Sequence, residues 1–245
     1  MFKPFDDADL KYFATFIDPS RLLTKEAIGE DYTRDELGTI KGLPDVVIRV
    51  ETAEEVSKIM TYANEKKLPV VVRGSATGLV GACVATSGGI MLDMLTMNRI
   101  LRLDEKNMVL EVEPGVLLMD IYEYVEPKGY FYAPDPGEKS ATIGGNVATN
   151  AGGMRAVKYG VTRDWVVALE VVLPTGEITQ FGRVVAKNST GYSLKDLVIG
   201  SEGTLCVITK VILKLAPLPE KTISLLVPFQ SVKDAIIGVP KMLHK

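Results

Sequence analysis

Val70-Val71-Val72-Arg73-Gly74-Ser75-Ala76-Thr77-Gly78-Leu79-Val80-Gly81 runs from an apolar, β-branched triplet into a loop of small residues. The triplet predicts a short buried strand. The loop carries little Cβ bulk, so its backbone N–H groups can approach an anion closely, a diphosphate above all. Taken alone, the same residues also describe an ordinary strand-to-loop connection. Their neighbours decide.

Upstream, Val46–Val50 predicts a strand, and Thr52-Ala53-Glu54-Glu55 predicts a capping box that opens a helix. Val56, Ile59, Met60 and Ala63 repeat at helical spacing on one face, and the helix ends near Lys67. Pro69 opens the next strand, giving a β-α-β unit of two parallel strands with a helix over them. Downstream, Cys83–Gly89 leads into a third strand, Ile90–Met94. A Rossmann fingerprint needs its glycine turn to open a helix, and no helical period follows here. A P-loop needs Gly-Lys-Ser/Thr, and no lysine stands between Lys67 and Lys106. Context excludes both. Before this unit, Asp7 to Phe16 predicts a helix with Leu10, Phe13 and Ala14 apolar, and Tyr32 to Pro44 has no period and wraps a surface.

The 245 residues suffice for one large domain or two lobes with a real core. A net charge of −3 argues against a nucleic-acid surface. No apolar run approaches the ~18 residues of a membrane span. The acidic stretch Met1–Leu10 is no secretory signal, and a cytoplasmic location follows, peripheral to a membrane only through a partner. Cys83 and Cys206 lack metal-type spacing and read as buried small hydrophobes. The single histidine, His244, leaves no metal site, histidine-based triad or histidyl-linked flavin.

A second lobe begins near Ile100. Met108–Val112 predicts a strand, and Val116–Glu126 a helix closed at Gly129, with Leu117, Asp120, Ile121 and Tyr124 sharing a face. Ala133-Pro134-Asp135-Pro136-Gly137 is a rigid turn. The stretch Ala141–Gly153 holds four glycines, three alanines and no charge. Such residues make a poor isolated helix, each glycine costing ~1 kcal/mol against alanine. They suit a backbone against which something flat must lie, or a small-residue helix packed tightly on a sheet. Val166–Leu173 and Ile178–Phe181 flank a turn and predict a hairpin. A short helix is expected at Leu194–Val198. The longest strand, Thr204–Leu215, places Leu205, Val207, Val211, Leu213 and Leu215 on one face. A last strand at Ile223–Val227 and a helix from Val232 to Ile237 follow.

Arg-Gly-Ser-Ala-Thr-Gly, Asp-Pro-Gly-Glu, Ala-Thr-Ile-Gly-Gly-Asn-Val-Ala-Thr-Asn-Ala-Gly-Gly, Lys-Tyr-Gly and Gly-Ser-Glu-Gly-Thr-Leu occur in that order between residues 40 and 220. The set resembles the PCMH-type FAD-binding domain of the vanillyl-alcohol-oxidase-type flavoproteins, and within them the glycolate oxidase flavin subunit and D-lactate dehydrogenase branch. The resemblance implies an α+β, two-lobed fold: a small parallel α/β lobe over about 1–100 and a larger, mostly antiparallel lobe with helices over about 101–220. Residues 221–245 would begin a truncated C-terminal cap.

The resemblance further implies non-covalent FAD. Arg73, Gly74, Ser75, Ala76, Thr77 and Gly78 would form the pyrophosphate loop, with the amides of Gly74, Ser75, Thr77 and Gly78 facing the phosphates. Pro134, Asp135, Pro136, Ile143, Gly144, Gly145 and Asn146 would lie near the flavin ring. Asn150, Gly152 and Gly153 would touch flavin and ribityl, and Glu202, Gly203, Val207 and Ile208 the adenosine end. Ala76 stands where the family has glycine, and Cys206 follows Thr-Leu where glycine is usual. In this family a D-2-hydroxy acid, D-lactate or glycolate, passes hydride to flavin N5, and histidines of the cap act as base or metal ligands. No catalytic base is assigned here. Arg155 and Lys158 either attract a substrate carboxylate or are solvated charges. Three functions stay open: the flavin half of a 2-hydroxy-acid dehydrogenase completed by its other half or a protein partner, a stand-alone FAD subunit passing electrons to another protein, and a non-catalytic remnant.

Overall fold

A computed structural model describes residues 2–185 and 187–243, so His244 lies outside the described residues. The first sheet is built from β1 (Leu22–Thr24), β2 (Val46–Arg49), β3 (Val70–Arg73) and β4 (Ile90–Asp93), in the order β1-β2-β4-β3. Both β2 and β3 run parallel to β4, while β1 is antiparallel to β2. The strands flanking the crossover are parallel, as expected, but β4 inserts between them. That leaves β3 at the edge, so Val70, Val71 and Val72 are only half-buried, a correction to the buried strand expected there.

Helix α1 (Asp7–Phe13) seals one end of this lobe with the fully buried Phe13. Helix α2 (Ala53–Lys66) covers the sheet through Val56, Ile59 and Ala63 and stops at Lys67, whose φ of 58° is a left-handed cap. Only half of the expected capping box exists. Thr52 Oγ1 accepts the Glu55 amide at 3.2 Å, but the Glu55 carboxylate passes Thr52 and accepts from the Glu51 amide. It also pairs bidentately with Arg21, which draws it further back.

The second sheet is antiparallel throughout. Strands β5 (Ile100–Asp104), β6 (Val109–Val112), β8 (Val166–Val172), β9 (Ile178–Gly182) and β10 (Val207–Lys214) lie in the order β5-β6-β10-β8-β9. A short ribbon pairs β7 (Tyr130–Phe131) with β11 (Ala216–Pro217). Helices α3 (Leu118–Val125), α4 (Ile143–Thr149), α5 (Ala156–Tyr159) and α6 (Leu194–Val198) complete the lobe.

Three expectations change here. Strand β10 starts at Val207, leaving Leu205 exposed, and it buries both faces because it is the central strand. Val211 and Leu213 join the main core, whereas Ile212 packs with Val109 and Ala168 on the other side. Helix α3 buries Leu118, Ile121, Tyr122 and Val125, one position out of phase with the expected face. The apolar set at i, i+3, i+4 and i+7 starts at Leu118, and Leu117 lies outside the helix in extended backbone bridged to Thr142. Ile223–Val227 forms no strand. It meets no sheet edge to satisfy its backbone, and Leu226 is 97% exposed. Helix α7 (Val232–Leu243) follows, starting where expected and with none of its described residues buried.

The lobes share one seam. Val172 of β8 and Val207 of β10 belong to the core of the first lobe, beside Val46, Val56 and Ile59. Above it, Ser57 Oγ donates to the Gly176 carbonyl at 2.6 Å. Gly176 has φ +88°, and a Cβ there would lie 1.9 Å from Thr61 Oγ1 and 2.8 Å from the Ser57 carbonyl oxygen. Gly176→Val is therefore expected to destabilise the chain by about 2–3 kcal/mol, the left-handed penalty plus the displaced contact. Thermal unfolding checks it, and an unchanged midpoint would show that the seam does not depend on this turn.

Candidate functional site

A cleft of about 300 Å³ opens between the lobes, with the loop after β3 as one wall and α4 with the 202–208 segment as the other. Gly74, Ser75, Ala76, Thr77 and Gly78 all line it. Among the described residues, the amides of Ser75, Ala76, Thr77 and Gly78 donate to no protein acceptor. A row of unspent N–H groups at a concave wall is chemically suited to receive an anion. No helix follows the glycines, as expected. Ala76 has φ +57°, so the residue standing where glycine is usual adopts the conformation that favours glycine. Gly74 is required for a different reason: a Cβ there would lie 2.2 Å from Thr142 Oγ1, closing the gap between the walls.

Arg73, placed with this loop in the sequence, does not line the cleft. Its guanidinium donates to the backbone carbonyls of Asp31 and Arg34 and lies over the Tyr32 ring. It is a structural cation.

The opposite wall begins at Thr142, whose Oγ1 caps α4 by accepting the Gly145 amide at 3.3 Å. The glycines differ in what stands against them. Gly144 packs on Pro114, where a Cβ would sit 2.7 Å from Pro114 Cβ, while Gly145 has only Thr142 Oγ1 nearby. Gly144, Gly145, Asn146 and Gly152 line the cleft, as do Pro136, Glu202, Gly203 and Ile208. The end of α4 is fixed by the Gly200 amide on the Val147 carbonyl and the Glu202 amide on the Ala148 carbonyl. That pairing brings the 202–208 segment to the cleft.

Six further expected residues do not line the cleft. Ile143 and Val207 are core side chains. The Pro134 carbonyl accepts the Tyr122 hydroxyl. Asp135 pairs with Arg155 at 3.5 Å. Asn150, at φ +49°, ends α4, and its Oδ1 accepts the Arg163 amide at 2.9 Å. Gly153 lies against the Asp135 backbone, where a Cβ would be 1.6 Å from the carbonyl oxygen. Arg155 is committed to Asp135 and the Phe131 ring, and Lys158 lies over the Tyr159 ring, so neither is an unpaired cation reaching into the cleft.

Sequence missed Asp35, Cys83, Glu138 and Thr142 as lining residues. Thr142 was legible as a cap three residues before Gly145; Asp35 carried no signal. Among the described residues, no lysine or arginine lines the cleft, while Asp35, Glu138 and Glu202 do. An anion here is met by neutral N–H groups. Cys83, expected to be buried, is half-buried in the wall, with Arg73 Nη1 at 3.7 Å from its sulfur. Burial pushes its thiol up, against the pull of Arg73. Burial alone pushes the Cys206 thiol up to about 11.

Residues 44–182 match a family described as FAD binding domain. The D-lactate dehydrogenase of Anaerostipes hadrus is 50% identical over 92% of this chain and 48% of its own length. The glycolate oxidase subunit GlcD of Bacillus subtilis is 45% identical over 83% of this chain and 44% of its own. The chain thus spans about half the length of the curated relatives it matches. A solved alkyldihydroxyacetonephosphate synthase superposes with a TM-score of 0.77 at 23% identity, over 90% of this chain and 46% of that one, a likeness of fold alone. The two-lobed α+β architecture is therefore shared with known structures.

Ala76→Gly removes a left-handed Cβ penalty of about 1–2 kcal/mol and adds about 0.4–1 kcal/mol of unfolded-state entropy. A small rise in Tm is expected, and a fall would contradict the strain at this position. Cys83, its thiol held up by burial, should react slowly with maleimide at neutral pH, at a rate that rises at higher pH than for an ordinary exposed thiol. FAD should slow it further, and equal labelling with and without FAD would place Cys83 outside the occupied cleft.

Proposed function

The chain belongs to the FAD binding domain family, and from that footing we propose that it is the flavin-holding half of an oxidoreductase acting on a D-2-hydroxy acid of the D-lactate or glycolate type. One observation supports the reading: Ser75–Gly78, whose amides have no protein acceptor, line a cleft whose opposite wall is rich in small residues. A dinucleotide with a diphosphate centre and a flat ring fits both. FAD is the cofactor, and we read it as non-covalent.

In this reading the Ser75–Gly78 amides hold the diphosphate without a basic side chain. Gly145 and Gly152 let a planar ring lie against backbone, and Glu202, Gly203 and Ile208 border the adenosine end. When bound, FAD supplies a ring whose N5 takes hydride from the hydroxy-acid carbon. The protein's part in the cleft is to bind, orient and exclude water. None of the described residues is assigned as the base for the hydroxyl proton.

The relatives' further length is proposed to supply that base and the rest of the substrate pocket, in the same polypeptide or as a partner. Residues 221–243 fit the start of such a region, since Ile223, Leu225 and Leu226 expose apolar side chains with nothing against them. The name of the GlcD relative, a subunit, favours a second reading, an FAD subunit that passes electrons onward to another protein. No described helix is long and apolar enough to cross a membrane. A cytoplasmic site of action, membrane-peripheral through a partner, is proposed.

The visible spectrum of the purified chain, followed by anaerobic addition of D-lactate or glycolate, tests these readings. Flavin bands are expected, with bleaching only when the remaining half is supplied. Bands that bleach with the chain alone would overturn the need for that half. No bands after reconstitution with excess FAD would sink both flavin readings and leave a non-catalytic remnant.

A further inference from the structure

The loop with the unspent amides does not hold itself in place. Its polar anchors come from residues 31–36, upstream of residue 44, where the family match begins. At the start of the loop, Arg73 is 8% exposed and donates to the Asp31 and Arg34 carbonyls. In the middle, the Glu36 amide donates to the Ala76 carbonyl at 3.0 Å. At the end, Asp35 Oδ2 accepts the Gly81 amide at 2.7 Å, and its Oδ1 accepts the Gly38 amide at 3.1 Å. Asp35 is 5% exposed and lines the cleft.

A trans peptide points its carbonyl and its following N–H in opposite directions. Tying the Ala76 carbonyl to Glu36 therefore turns the Thr77 N–H away from the 31–36 segment, toward the cleft that Thr77 lines. The left-handed φ of Ala76 accompanies that orientation. The tie works only while the segment keeps its register on the loop. A carboxylate in the wall of an anion site is otherwise unfavourable, and Asp35 is tolerated because each of its oxygens is occupied by an amide.

We propose that Asp35 is the positioning residue of this loop: by fixing the Gly81 and Gly38 amides, it registers residues 31–36 so that the Ser75–Gly78 amides stay aimed at the FAD diphosphate. The inference rests on the flavin reading above. Asp35 acts through the loop and does not itself touch the phosphates.

Asp35→Ala and Asp35→Asn in the 245-residue chain test it, with three readouts: the FAD dissociation constant, the Tm of the apo chain, and hydrogen exchange of the 75–78 amides with and without FAD. At a temperature where the apo variants remain folded, Asp35→Ala should weaken FAD binding by about ten- to hundredfold, the worth of one to two charge-assisted hydrogen bonds. Asp35→Asn, which keeps one acceptor, should lose less. FAD should protect the 75–78 amides in the parent and protect them less in both variants. A lower Tm with unchanged FAD affinity and unchanged protection would reduce Asp35 to a structural residue and overturn the proposal. Should Asp35→Ala not fold, Asp35→Asn decides by the same criteria. A parent chain that binds no FAD sinks the flavin reading itself, which is distinct from a parent that binds and variants that match it.

Discussion

Everything at the cleft depends on backbone amides that the fold leaves without acceptors. A buried or half-buried N–H without a partner costs free energy, so folds pair nearly all of them. Here several in succession, Ser75 to Gly78, stay unspent on a concave wall. Their alignment is rigid because the edge strand β3 feeds the loop and the 31–36 segment ties it. With Asp35, Glu138 and Glu202 as the charged groups of the wall, the local field of the side chains opposes an anion. Selectivity must then come from geometry: a guest has to place its acceptors where the amides point. A diffuse negative charge gains nothing.

The two walls meet where side chains vanish. Gly74 approaches Thr142, and Gly144 approaches Pro114, at separations that admit no Cβ. Thr142 serves twice, capping α4 and pinning Leu117 through an extended bridge. One residue thereby fixes the chain just before α3 and the start of the helix facing the loop. Behind it, Asn150 and Arg163 hold the exit of α4, with Arg163 donating to the Asp196 and Ile199 carbonyls.

Much of this was legible in sequence where the cause is local. The face of α2 follows from Val56, Ile59 and Ala63, and the glycine loop announces close backbone approach without any structure. What escaped is non-local. The edge position of β3 depends on a strand that arrives later in the chain, and the place of Asp35 on Gly81, 46 residues away. Arg73 shows the same limit from the other side. Adjacent to the loop in sequence, it turns its guanidinium to backbone carbonyls instead. Ile223–Val227 has strand composition but no neighbouring edge, and composition alone does not make a strand.

The insertion of β4 between β2 and β3 bears on the order in which the molecule can assemble during synthesis. Until β4 emerges from the ribosome, β2 and β3 have no common partner, and the loop between β3 and β4 has no second end to fix it. The far wall is later still: β6 and β8 are bridged only by β10, and the cleft residues 202–208 are made immediately before and within that strand. The near wall can therefore form first, and the far wall closes on it late, by long-range pairing that is intrinsically slow. A dinucleotide can stabilise the finished domain by mass action, but until β10 is in place it meets one wall without the other.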